Sequence, residues 1–400
     1  LHWRFSSVAY NSGASWASGW KTILQPRRVN ENGENSSIHR SDGWFGVLAV
    51  GQSLEPLSPA ASATDARQLF QFQFPRDLYD HPGYQGEWWY FTGNLSSQSG
   101  RQYGFELTFF HIALPGQPQI TPVIFADLAV SDLNGRQFFF HKALAPQTSP
   151  RASITEQPWT IQLGSWTLTE PDQVRGVFHL HALQDDFGVD LALVPELAPV
   201  LNGFNGLFVL DASATGAGNE YYEYCSIPRV KATGSIKVNG ETIPVEGLAW
   251  NDHEFFNLRP GQRFPPWDWF SVQLDDGASI MLYGLRLPNG AFDPASRGTF
   301  VDTNGTVIHL RPGSFTLTPG RTTWHSAVSN ADYPIEWTIS IPSLEIELAM
   351  STPLPDQEMP AVPGGGSPAY WEGASRFQGT RRGMSVQGKG YLEMLGYNRR

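Results

Sequence analysis

The chain has 400 residues, 38 acidic and 27 basic, for a formal net charge of −11 with His neutral. That length exceeds one ordinary domain and suggests two with a remainder, and an acidic chain with scattered Lys and Arg leaves no footprint for phosphate backbones, which excludes nucleic acid as a partner. Forty Gly and thirty Pro interrupt long helices, no run of 18 apolar residues can span a membrane as a helix, and a single cysteine, Cys225, excludes an internal disulfide and a cysteine-built zinc site.

Residues 1–68 read as a flexible or leader segment, polar at 30–37 and rich in Pro, Ala and Ser at 56–63. A short apolar run at 44–50 and the small-residue triplet Ala61-Ser62-Ala63 give it only a weak resemblance to a secretory signal. The compartment therefore stays open between cytoplasm and periplasm or secretion. From residue 74 onward, period-2 segments alternate with turn signals. A strand at 87–95 (EWWYFTGNL), a polar loop at 96–100 and a returning strand at 103–114 form a hairpin. Strands follow at 123–131, 137–143, 160–163, 176–183, 189–193 and 221–227. The Pro- and Gly-bearing stretch 228–247 then reads as a boundary, placing an N-terminal domain at 69–240 and a C-terminal domain at 241–400.

The second half repeats the style. A hairpin of 267–274 (WDWFSVQL) and 280–287 turns at Asp276-Gly277. Strands follow at 299–301, 307–310, 314–317, 335–340, 344–350, 370–377 and 388–397, with a long Pro/Gly-rich loop at 353–367. Many short strands without βα alternation predict an all-β protein of antiparallel barrels or sandwiches. The aromatic content supplies walls for an apolar hollow inside the sheets.

Catalysis in such a hollow needs polar groups on an apolar face, so strand parity selects the candidates. Asp268 shares a face with Phe270, Val272 and Leu274, where desolvation would raise its pKa, although pairing with an arginine is the plainer reading. His111 lies on the face of Phe105, Leu107 and Phe109, Glu87 on that of Trp89 and Phe91, and Asp127 sits in an apolar strand; each alone also fits a hydrogen-bonded core residue. The densest group is Ala249-Trp250-Asn251-Asp252-His253-Glu254. If extended, it projects Trp250, Asp252 and Glu254 to one side and Asn251 and His253 to the other, so the group cannot ligate one metal without a bulge. No HExxH motif accompanies it, and no metal is expected. Two carboxyls beside a Trp suit proton donation, one kept protonated by the charge of the other, with a structural salt-bridge cluster as the alternative. Cys225 reads as a packing residue.

These motifs resemble the lipocalin-like carotenoid 1,2-hydratase (hydroxyneurosporene synthase) family and its AttH-like bacterial relatives. The resemblance rests on Phe74-Pro75-Arg76-Asp77, the 87–95 strand, GFELTFF at 104–110, 125–132, GLAWNDHE at 247–254, 267–270, 274–277, 370–373 and GYLEMLGY at 390–397, in the family's order across about 70–400. It implies two lipocalin-like antiparallel β-barrels in tandem. It also implies water addition to an isoprenoid or polyene double bond without a cofactor: an acid protonates the alkene, aromatic faces stabilise the carbocation, and water attacks. Asp252 and His253 fall in the family's acidic motif and so inherit the roles of proton donor and its orienter or the water's base, with Asp268 second and Glu254 beside them. Glu87, Trp89, Phe91, His111, Asp127, Trp250, Trp267, Trp269, Tyr283 and Trp371 complete the expected substrate contacts. The sequence departs from the family pattern at Asp127 (His), His111 (Arg) and Phe255 (Trp). The implied partner is a hydrophobic small molecule, for which peripheral membrane contact is one route of delivery. A non-catalytic carrier of such a molecule, or a cofactor-free cyclase or isomerase, are the rival readings.

Overall fold

A computed structural model of the chain describes residues 70–113, 121–170, 176–211, 219–257, 265–287, 289–293, 296–311, 313–362 and 367–398. The expected leader at 1–68 lies outside them. Apart from two 3-10 turns, Arg76–Leu78 and Pro342–Leu344, the regular structure described is strand, and no described helix is long and apolar enough to cross a membrane.

The first sheet contains β1 (Gly86–Ser97), β2 (Gln102–Ile112), β3 (Val123–Asp132), β4 (Gln137–Pro146), β5 (Ala152–Glu156), β6 (Trp159–Leu163), β7 (Trp166–Glu170), β8 (Phe178–Leu183), β9 (Gly188–Pro195), β10 (Val200–Leu201), β11 (Leu207–Asp211), β12 (Asn219–Val238) and β13 (Glu241–Phe256). It runs β4-β3-β2-β1-β13-β12-β9-β8-β7-β6-β5, with β10 and β11 added to β12. Its ends approach each other where β3 and β4 come alongside β5 and β6. The second half supplies β14 (Trp267–Leu274), β15 (Ser279–Leu285), β16 (Arg297–Val301), β17 (Val307–Leu310), β18 (Thr316–Pro319), β19 (Thr323–His325), β20 (Asp332–Pro334), β21 (Glu336–Ile341), β22 (Ile346–Ser351), β23 (Glu358–Met359), β24 (Tyr370–Arg381) and β25 (Met384–Leu395). Here the order is β17-β16-β15-β14-β25-β24-β22-β21-β18, with β23 added to β24 and β19-β20 a separate hairpin. The protein is all-β, two antiparallel barrels in tandem, as the sequence predicts.

The change of sheet falls later than residue 240. Glu241–Phe256 pairs with β1 on one side and β12 on the other, so it belongs to the first sheet, and the chain crosses over between Phe256 and Trp267. The reason is local: Asn239 and Gly240, at φ 51° and 80°, make a two-residue corner joining β12 to β13. Asn-Gly with both residues at positive φ is a hairpin signal, not a linker signal.

Both barrel interiors are filled. Phe91, Phe105, Leu107, Leu128, Leu180 and Leu191 pack inside the first, and Phe270, Ile280, Leu282, Ile339, Leu348 and Leu392 inside the second. Each such side chain contributes about 1.5–3 kcal/mol by leaving water. A third apolar cluster, with Tyr90, Tyr224, Trp250, Trp269 and Tyr391, joins the outer walls of the two barrels. Their approach is close: a Cβ on Gly104 of β2 would stand 2.5 Å from Tyr391 Oη and 2.8 Å from Ala374 Cβ of the second barrel. The strands at this contact are therefore buried on both faces, one by their own lumen and one by the neighbouring barrel.

Candidate active site

Between the two outer walls lies a cleft lined by residues of both barrels. The expectation of a hollow within a barrel is corrected here, since the lumens are core and the hollow is between them. Trp88, Tyr90, Phe110 and Phe125 wall it from the first barrel, and Trp267, Trp269, Tyr283 and Tyr370 from the second. Asp252 and Glu254 enter from β13, and Glu393 faces them from β25.

The extended β13 separates its side chains as the sequence reading expects. Trp250, Asp252 and Glu254 are on the outer face of the first barrel, which the second barrel covers, so these positions lie on an outer wall without being wet. Asp252 is buried and accepts from Tyr224 Oη at 2.5 Å, Ser226 Oγ at 2.6 Å and Trp250 Nε1 at 2.6 Å. Burial lifts its pKa to about 6, against the pull of those three donors. Glu254 is pushed well above the usual carboxylate range, first by burial and then by the charges of Asp252 and Glu393. Glu393 rises to about 8, again by burial, with Asp252 and Asp127 adding to it and the Trp267 indole opposing.

The acidic layer extends deeper between the barrels. Glu372, bonded by Tyr90 Oη at 2.8 Å, and Glu106, bonded by Thr108, are both fully buried and held well above their ordinary range by desolvation and by neighbouring carboxyls. Asp127 meets a cation, Lys142 Nζ at 3.3 Å, and also accepts from Ser367 Oγ at 2.7 Å and Tyr370 Oη at 2.9 Å. Burial lowers the Lys142 pKa while Asp127 supports its charge. Carboxyls facing one another in a dry layer cannot all ionise, so several remain carboxylic acids at neutral pH.

Of the residues picked out from sequence, Asp252, Glu254, Trp267, Trp269 and Tyr283 line the cleft. Trp250 stands behind it, bonded to Asp252 and edge-on to Trp269 at 6.0 Å, and Asp127 reaches it through Ser367 and Tyr370. The others are elsewhere. His253 points into the first barrel on the opposite face of β13, to Glu87 Oε1 at 2.9 Å, and burial depresses its pKa to about 3. It therefore cannot orient Asp252; Tyr224, Ser226 and Trp250 do so. Glu87, itself raised to about 7 by burial, and Trp89 and Phe91 share that interior. His111 contacts Gln147 at 3.2 Å on the same face of the sheet, away from the cleft. Asp268 faces the second barrel's interior, paired with Arg286 and bonded by Tyr397 Oη at 3.1 Å, so the plainer reading of it stands. Trp371 is in the second core, its indole donating to the Pro355 carbonyl at 2.8 Å. Cys225 is buried, and desolvation raises its thiol.

A family model described as AttH-like matches residues 65–397, nearly the whole described chain. The chain belongs to the AttH-like family. The resemblance carried by the 247–254 and 104–110 motifs is thus borne out. Among solved structures this AttH-like protein is similar to an AttH of Nitrosomonas europaea, 28% identical with a TM-score of 0.71, covering 86% of this chain and 100% of that one. It shares its fold with kievitone hydratase from Nectria haematococca, 19% identical, TM-score 0.59, covering 78% and 88% respectively. Among curated proteins it is similar to "Dehydratase asqC" of Emericella nidulans, 22% identical over 217 residues, 52% of this chain and 57% of that protein. The match spans little more than half of that relative's length.

Sequence reasoning missed the AttH-like chain's Tyr90, Tyr370 and Glu393, although two of them adjoin residues it chose. Each is the neighbour, on the other face of the strand, of Trp89 or Trp371. Glu393 had a usable signal, since it is the lone carboxyl in an otherwise apolar GYLEMLGY strand.

Proposed function

We propose that this AttH-like chain is a hydro-lyase of the hydratase or dehydratase type, moving water on or off a carbon–carbon double bond of an apolar isoprenoid- or polyene-like molecule held between its barrels. The observation that carries this reading is the pair Asp252 and Glu254 on one face of β13, opposite Glu393, with burial raising the proton affinity of all three. The names borne by the asqC relative and the kievitone hydratase neighbour point to the same reaction class.

In this reading Glu254, kept neutral by burial and by Asp252, gives its proton to the alkene carbon. The π-faces of Trp88, Trp267 and Trp269 then stabilise the cation. Asp252, titrating near 6 and therefore mostly anionic at neutral pH, takes a proton from the attacking water while Tyr224, Ser226 and Trp250 hold its oxygens. Dehydration runs the same steps backwards. The aromatic walls shield the cation from bulk solvent, and the shared proton of the acidic layer resets Glu254.

The test is to extract and mass-identify the molecule carried by purified protein, then incubate it or its dehydrated form in heavy-oxygen water. Oxygen label in the product, lost in Asp252→Asn and Glu254→Gln, is the expected result. Return of the molecule unchanged would make the protein a carrier, and a rearranged product without label would make it an isomerase or cyclase.

A further inference from the structure

A second group of side chains, at one end of the first barrel, takes no part in that chemistry. His81 from the segment before β1, Glu87 from β1 and His253 from β13 converge there, all buried. His81 Nδ1 stands 2.7 Å, and His253 Nε2 2.9 Å, from the same oxygen, Glu87 Oε1. Their outer nitrogens are engaged as well. His253 Nδ1 lies 3.2 Å from the Asp77 carbonyl, which can only accept, so that nitrogen carries a proton. His81 Nε2 faces Asp77 Oδ1 at 3.4 Å and donates in the same way. A neutral imidazole has one N–H. With both imidazoles neutral, the inner nitrogens present lone pairs to a carboxylate oxygen that is itself an acceptor. Three acceptors aimed at one another in a buried place leave positive charge wanting.

We propose that His81, Glu87 and His253 bind a divalent transition-metal ion of the zinc type, with Asp77 as the outer partner of both imidazoles. Two imidazoles and a carboxylate form a donor set that such ions take. Holding a ligand histidine's outer N–H with a carbonyl or carboxylate fixes its tautomer and its aim. Stacking fixes the ring planes: Phe255 lies on His81 at 3.6 Å and 15°, and Trp89 on His253 at 5.0 Å and 21°. Ligand atoms around a tetrahedral ion with bonds of about 2.1 Å stand roughly 3.4 Å apart, so the two N–O gaps open by about 0.5–0.7 Å on loading. The ion ties the segment ahead of β1 to β1 and β13, directly behind the strand whose other face carries Asp252 and Glu254.

Two protons would fill the same deficit, and the experiment separates the two cases. Untagged full-length protein is stripped with a chelator, dialysed against Zn²⁺ or Co²⁺ at neutral pH, desalted, and its metal content measured by mass spectrometry. The expected result is about one ion per chain, a visible absorption band for the cobalt form, and a higher thermal midpoint with metal than with chelator. Glu87→Gln and His81→Gln should lose the ion while keeping the wild-type circular dichroism. Should either variant fail to fold, the wild-type metal content and cobalt spectrum decide alone. Wild-type protein retaining less than about a tenth of an equivalent overturns the proposal, and so does a folded His81→Gln variant that binds as tightly as wild type.

Discussion

Replacing Glu393 by Gln should make the protein more stable at alkaline pH than the natural chain. The Glu393 carboxyl titrates at about 8 instead of 4.5. The folded state then holds that proton more tightly than the unfolded chain by at most about 5 kcal/mol, at 1.36 kcal/mol per tenfold. Below about pH 4.5 both states are protonated and the group is neutral in the balance. Between 4.5 and 8 the unfolded chain ionises first, so stability falls as pH rises through that window, and the cost is complete above about 8. Glu393 keeps some solvent contact at the cleft and shares its proton with acidic neighbours, which reduces the recoverable amount to about 2–4 kcal/mol. Gln has nearly the same shape and cannot ionise. Urea unfolding of both proteins at about pH 5 and about pH 8.5 measures the effect. The stability of Glu393→Gln relative to wild type should improve by that amount between the two conditions. A difference unchanged by pH would refute the reasoning that burial stores protons in the layer between the barrels.

The remaining predictions concern the cleft, its supports and its spacing. Asp252→Asn should lower turnover by about 10²–10⁴ in folded protein, read from steady-state rates. Tyr224→Phe removes one of three donors to the Asp252 anion, worth about 1.5 kcal/mol, and should move the rising limb of kcat/KM from near 6 upward by about one pH unit. Arg286→Met leaves Asp268 buried without its cation and should destabilise by about 3–5 kcal/mol in denaturant titrations, while turnover per folded molecule is retained. Gly104→Val forces a side chain onto Tyr391 and Ala374; it should cost about 1–3 kcal/mol by thermal unfolding.

The fold was legible because hairpins announce themselves. The 267–274 strand, the Asp276-Gly277 corner and its returning partner occur as the alternation and turn residues require. Asn239-Gly240 carried the same signal but sat beside Pro and Gly residues that suggested a boundary. The face of each strand was harder to assign. Period-2 reasoning needs one wet face, and in β1 and β13 both faces are buried, so Trp88 and Trp89 are indistinguishable by composition. Asp252 and Glu254 could be found because like-charged neighbours at alternate positions stand out on any face. The His81, Glu87 and His253 group was invisible, since its members are 6 and 166 residues apart and no spacing rule links them.

A cleft between two barrels is under a constraint different from that on a lumen. Its width is set where Gly104 abuts Tyr391 and Ala374, outside either hydrophobic interior. Small changes in those spacers can therefore retune the width of the cleft without rebuilding a core.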